Sequence, residues 1–156
     1  MSRMDIRPIA AAETRQLRQQ VLRPSQRPDE QVYPKDDAPD TAHVGAFRDG
    51  VLVGVATVLG EPPPGETDAR AWRLRGMAVL PGTQRQGVGR ALVEFCVAHV
   101  RAQEGDLIWC KGRTSARGFY EALGFRVAGE EFDLPVSGPH FIFRRSLASI
   151  TRSAQE

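Results

Sequence analysis

The sequence predicts an α+β domain with helices packed on a mostly antiparallel sheet. Short apolar runs bounded by turn residues recur along most of the chain. Asp49-Gly50 joins two of them, which is the strongest hairpin signal present. Three helix-forming stretches interrupt these runs, giving the order strand, helix, three strands, helix, strand, helix, two strands. The length of 156 residues suits one compact domain, taken as residues 1–148 with a flexible tail at 149–156. Hydrophobic residues make up 41% of the chain, enough to supply a core and to argue against global disorder.

The elements follow in order. Asp5–Ile9 alternates weakly and reads as a first strand. Residues 11–22 carry helix formers, with Leu17, Val21 and Leu22 as core contacts. Arg23-Pro24 stops that helix, because a residue before proline avoids the helical region. Residues 24–41 are rich in Pro, Asp and Gln and form a long loop, of a length that often carries function. His43–Phe47 and Val51–Leu59 are the strands of the hairpin. Glu61-Pro62-Pro63-Pro64-Gly65-Glu66 is an exposed loop, since prolines are excluded from strand interiors. Ala71–Leu80 is the next strand, ended by Pro81-Gly82.

Val88, Ala91, Leu92, Phe95 and Cys96 recur at helical spacing, so a helix spans Val88 to about Arg101, with Gly105 as its terminator. Leu107–Cys110 is a short buried strand. Thr114 or Ser115 caps a helix to Leu123, and Gly124 ends it. Phe125–Leu134 and His140–Leu147 are the last strands.

Composition excludes several functions. A net charge of +2, with no basic stripe interleaved with aromatics, gives little support to nucleic-acid binding. Cys96 and Cys110 have neither metal-ligand spacing nor a disulfide pattern, and both read as core residues. No apolar run approaches a membrane span, and a soluble, cytoplasmic setting is the default.

The chemistry concentrates in Met77–Leu92. An apolar strand ends, a turn and a glycine pair follow, and an amphipathic helix begins. Helix starts present unpaired N–H groups and partial positive charge. Glycines let a phosphate approach that backbone, and Gln84, Arg85 and Arg90 add donors. The arrangement predicts a pyrophosphate site. Gly82 and Gly87 have the spacing of a Walker loop, yet Val88-Gly89 stands where Lys and Ser or Thr are required. Gly87-Val88-Gly89 begins like the dinucleotide fingerprint, yet Leu92 occupies the third glycine position.

Gln84-Arg85-Gln86-Gly87-Val88-Gly89 resembles the acyl-CoA signature of the GNAT acetyltransferase superfamily, and Arg75–Pro81 looks like the strand that leads into it. Phe119–Phe125 resembles the segment in which many members carry a tyrosine acid. Gly138-Pro139-His140 looks like the start of the last strand in one bacterial branch. The likeness runs from about Asp5 to Leu147. One departure is Arg113, where many relatives place an asparagine seven residues before the tyrosine.

The resemblance implies a three-layer fold with a splayed central sheet and acetyl-CoA as co-substrate, without a metal. Backbone of Met77, Ala78 and Val79 would hold the pantetheine arm, and Gln84 to Arg90, Val88 among them, the pyrophosphate. An amide near Met77–Val79 would stabilise the oxyanion. Tyr120 would protonate the departing thiolate. An alkylammonium has a pKa of about 10, so a base is needed. Glu61 is the leading candidate, His140 the second, and a water chain the third. The acceptor is a primary amine: a small molecule, or a protein N-terminus or lysine. Dimers are common in the superfamily, and no residue here demonstrates one. The rival function is a non-catalytic acyl-CoA-binding or regulatory domain.

Each site residue also has a plainer reading. The glycine pair could be an ordinary turn, Tyr120 a core aromatic, Glu61 a solvated loop residue, and His140 a structural group bonding the loop before it. Residues 23–39 could line the acceptor pocket or form a mobile surface loop.

Overall fold

The structure is a computed structural model that describes residues 3–83 and 87–147. Seven strands and three helices alternate: β1 (Met4–Pro8), α1 (Arg15–Leu17), β2 (Ala42–Arg48), β3 (Val51–Gly60), β4 (Ala71–Val79), α2 (Val88–Ala102), β5 (Leu107–Arg113), α3 (Arg117–Ala122), β6 (Arg126–Leu134) and β7 (Gly138–Ser146). The strands form one mixed sheet in the order β1-β2-β3-β4-β5-β7-β6. β1 with β2, β2 with β3, β5 with β7 and β6 with β7 are antiparallel. β4 runs parallel to β5, with Ala71, Trp72 and Arg73 opposite Leu107, Ile108 and Trp109. The expected α+β class is therefore the observed one.

The chain groups into two compact units, and it passes between them at the end of β3, within β4 and within α2. The first comprises the described residues up to Leu59 with Leu74–His99; the second comprises Gly60–Arg73 and the described residues from Val100. In the first, Val44, Val55, Val58 and Leu74 of the sheet are buried, as are Leu92 and Cys96 of α2. In the second, Ile108, Trp109, Phe125 and Phe143 form the buried centre.

Local signals with a local cause were read correctly. Asp49 (φ 51°) and Gly50 (φ 84°) are both left-handed, as the tight hairpin turn requires. Gly124 (φ 88°) closes α3: its amide donates to Glu121 O and the Phe125 amide to Tyr120 O. Three readings need correction. Residues 11–22 are not one regular helix. A 3-10 turn (Ala11–Thr14) leads into α1, and a π turn (Arg18–Leu22) follows before the chain stops at Arg23. The π turn opens at Arg18, whose side chain is fully buried. At the end of α2 the left-handed residue is Glu104 (φ 60°), with the Gly105 amide donating to Val100 O at 2.8 Å. Gly105 is needed instead for space, because a Cβ there would lie 2.5 Å from Val100 Cγ1 and 2.6 Å from Trp72 Cδ1. Neither Thr114 nor Ser115 caps the helical segment that ends in α3; Arg113 precedes it without a side-chain cap, and Thr114 Oγ1 donates to Glu131.

Candidate active site

The donor segment lies within the first unit. Gly54 of β3 makes its geometry: a Cβ there would lie 2.9 Å from Val88 Cγ1, 3.1 Å from Leu92 Cδ1 and 3.5 Å from Val79 Cγ2. The missing side chain lets the end of β4 and the start of α2 converge on the same point of the sheet. Val88 is buried by this contact, while Gly87 and Arg90 remain exposed. Gly87 has φ 81°, and its carbonyl accepts the Ala91 amide at 3.0 Å, which makes it the cap of α2. The amides that follow it have no partner inside the helix, and no acidic side chain occupies the first turn. The helix start is therefore electropositive without a built-in counter-charge.

Along β4, Ala78 is buried and Met77 and Val79 are half-buried. The strand ends where the Leu80 amide donates to Val53 O, and a 3-10 turn (Pro81–Thr83) follows, closed by Thr83 Oγ1 donating to Leu80 O. Gln84, Arg85 and Gln86 lie outside the described residues.

Tyr120, in the second unit, is 7% exposed. Its ring stacks on Phe143 at 4.8 Å and meets Phe119 and Phe125 edge-on at 5.1 and 5.7 Å. Gly112 makes room for it, since a Cβ there would lie 2.6 Å from Tyr120 Cε2. The hydroxyl donates to Cys110 Sγ. Burial first, and the neighbouring Cys110 second, push the phenol well above its ordinary value. Burial likewise pushes the Cys110 thiol up to about 12. Both groups therefore stay protonated at neutral pH.

Glu61 follows β3 and is held at two points. Arg73 Nη1 donates to its carboxylate at 2.9 Å, and the Trp109 indole donates to its carbonyl at 2.8 Å. Arg73 also lies over the Trp109 ring, 5.2 Å from its centre. His140 is 5% exposed, and its Nδ1–H donates to Gly138 O at 2.8 Å. That bond is the structural role named for it from the sequence. Among the described residues no group of His, Cys, Asp or Glu could hold a metal ion, and no helix is long and apolar enough to cross a membrane.

The sequence reading missed a buried polar network in the first unit. Arg18 Nη1 donates to Gln31 O at 3.0 Å and to Asp36 Oδ2 at 2.7 Å. Nη2 donates to Asp36 Oδ1 at 3.2 Å and to Thr57 Oγ1 at 2.9 Å. The Thr57 hydroxyl donates to His43 Nδ1 at 2.8 Å, and His43 Nε2–H donates to Asp36 O at 2.9 Å. Arg75 adds a bond to Asp36 Oδ1 and one to Pro34 O. Burial alone would raise the Asp36 carboxyl, but bonds from Arg18, the Tyr33 amide and Arg75 outweigh it and hold the group below its ordinary value. The 24–41 loop is thus pinned at Gln31 and Asp36. The available signal was the position of Arg18 between Leu17 and Val21, on the face that faces the core.

The comparisons agree with this architecture. The profile of the Acetyltransferase (GNAT) family matches residues 9–125. An uncharacterized N-acetyltransferase of Bacillus subtilis, YitI, is 34% identical over 145 residues, covering 92% of this chain and 97% of its own. Escherichia coli ElaA superposes with a TM-score of 0.73 at 18% identity, over 92% of this chain and 99% of its own. An aminoglycoside 6′-N-acetyltransferase solved with coenzyme A superposes with a TM-score of 0.66 at 17% identity, over 91% of this chain and 96% of its own. With three quarters of its length inside the family profile and a relative matched nearly end to end, the chain belongs to the GNAT acetyltransferase family.

Proposed function

We propose that the protein transfers an acetyl group from acetyl-CoA to a primary amine by direct attack in a ternary complex. The observation that carries this reading is the start of α2: a left-handed Gly87, amides with no intrahelical partner and no acidic residue in the first turn, following an apolar strand. That combination suits a pyrophosphate. The coenzyme A complex of the aminoglycoside 6′-N-acetyltransferase, which shares the fold, supports the choice of cofactor.

In the proposed reaction the neutral amine attacks the thioester carbon, and an amide near Met77–Val79 stabilises the oxyanion. The C–S bond then breaks with its electron pair on sulfur. The new amide nitrogen loses one proton, for which Glu61, oriented by Arg73, is the proposed acceptor. Tyr120 is assigned to the leaving thiolate. Its raised pKa keeps it protonated, and it already donates to a sulfur in Cys110. A thiol titrates near about 8.5, so full transfer from a phenol above 10 is uphill. Tyr120 therefore serves mainly as a hydrogen-bond donor to the thiolate; Glu61 gives the amine's proton up to solvent and the released thiolate takes one from solvent, so the count closes.

The test is a panel of amines with acetyl-CoA, read as free thiol released, beside a melting curve with acetyl-CoA. At 100-fold excess over Kd, binding stabilises the folded state by about 2.7 kcal/mol. Thiol release with one amine class is the expected result. A melting shift without turnover of any amine would identify an acyl-CoA-binding domain instead, and no shift at all would remove the cofactor.

A further inference from the structure

We propose that Arg18 is a positioning residue for the strand that receives the acyl donor. Its guanidinium is fully buried and spends both Nη groups on Gln31 O, Asp36 and Thr57 Oγ1. The remaining donor, Nε, has no hydrogen-bond partner among the described residues. It is turned toward Gly76 of β4: a Cβ built at Gly76 would lie 3.1 Å from Arg18 Nε and 3.5 Å from Tyr33 Cε2. Tyr33 is stacked on Arg18 with its ring centre 4.0 Å from the guanidinium carbon.

Gly76 has φ 62°, a left-handed residue inside a strand. Such a residue breaks the alternation of the strand and re-aims the peptide groups that follow it. Those groups belong to Met77, Ala78 and Val79. The Arg18 guanidinium and the Tyr33 ring crowd the space beside this kink, so the left-handed conformation favours glycine and a Cβ there would press on Arg18. One side chain thereby fixes the turn after α1, the 24–41 loop through Gln31 and Asp36, β3 through Thr57, and the kink of β4. A buried cation tied to four acceptors has no alternative position without breaking its buried pair with Asp36. The loop and the aim of Met77–Val79 are consequently set together.

This inference rests on the proposed donor reading, in which Met77–Val79 hold the pantetheine arm and the start of α2 holds the pyrophosphate. Arg18 acts on the first and, among the described residues, makes no hydrogen bond to the second. Its effect should be confined to the arm.

The experiment is calorimetric titration of wild type, Arg18→Lys and Tyr33→Leu with acetyl-CoA and, separately, with adenosine 3′-phosphate 5′-diphosphate, the nucleotide half of the cofactor. Lysine keeps the charge but lacks the planar fork that spans Asp36 and Thr57. Arg18→Lys should weaken acetyl-CoA about tenfold and the nucleotide half by less than about twofold. Tyr33 is half-buried on a loop, so Tyr33→Leu should fold even if the lysine variant does not, and should show the same split at about threefold. Equal weakening of both ligands, or no weakening of acetyl-CoA, overturns the positioning role. Failure of wild type to bind the nucleotide half overturns the donor reading itself.

Discussion

The start of α2 and the guanidinium of Arg18 are both concentrations of N–H donors and positive charge, and they are used in opposite ways. At Arg18 both Nη groups are committed to oxygen atoms of the same unit, and the side chain is sealed from solvent. At α2 the amides after Gly87 have no partner within the helix, the first turn holds no acid, and Gly87 and Arg90 face outward. Committed donors mark scaffold. Uncommitted donors at an exposed helix start mark a place for an anion. Within one unit the same chemistry thus separates what holds the fold from what is proposed to receive a ligand.

That separation can be broken experimentally. The largest effect belongs to the scaffold side. Arg18→Met leaves the buried Asp36 carboxylate with only Arg75 and the Tyr33 amide as partners and should cost about 3 kcal/mol in urea unfolding. The same pair sets the acid limb. Asp36 has a lowered folded pKa, so its contribution is complete above the unfolded value of about 3.9 and is lost as pH falls through the lower folded value. A urea midpoint that does not fall along that limb would show that the pair contributes nothing to stability. Next in size is Gly89→Glu, which sets bulk and negative charge at the helix start. Coenzyme A affinity should fall about 100-fold, equivalent to about 2.7 kcal/mol, while the urea midpoint stays close to wild type. Unchanged affinity would put the cofactor elsewhere. The smallest effect is assigned to Tyr120→Phe, which keeps the aromatic packing and removes one hydrogen bond. Turnover should fall about tenfold with coenzyme A affinity unchanged. An unaltered rate would leave Tyr120 as packing alone.

The legible parts of the molecule were those whose cause is local. The hairpin at Asp49-Gly50, the close of α3 at Gly124 and the body of α2 each follow from a few adjacent residues. The end of β4, the left-handed Gly87 and the start of α2 were legible for the same reason, since they are nearly contiguous. The Arg18 network was not, because its partners Asp36 and Thr57 lie 18 and 39 residues away and only the folded chain brings them to one guanidinium. Gly105 shows a subtler limit. A glycine after a helix suggested a left-handed cap, but Glu104 adopts that conformation and Gly105 is required for clearance from Trp72 and Val100. Composition cannot distinguish conformational from steric need. Tyr120 was found by its neighbours in sequence, yet its aromatic cage with Phe143 and Gly112 required the register of β5 and β7.

Gly54 carries a consequence for sequence drift. Because Val88, Leu92 and Val79 all press on the point where its side chain would begin, a larger residue there must be answered by a smaller one at 88 or 92. Position 54, which is assigned no part in the chemistry, is therefore tied to the helix that opens the proposed pyrophosphate site. Paired exchanges between positions 54 and 92 are the route by which the height of the helix, and with it the fit to a different acyl carrier, could be retuned without altering any residue assigned to the ligand.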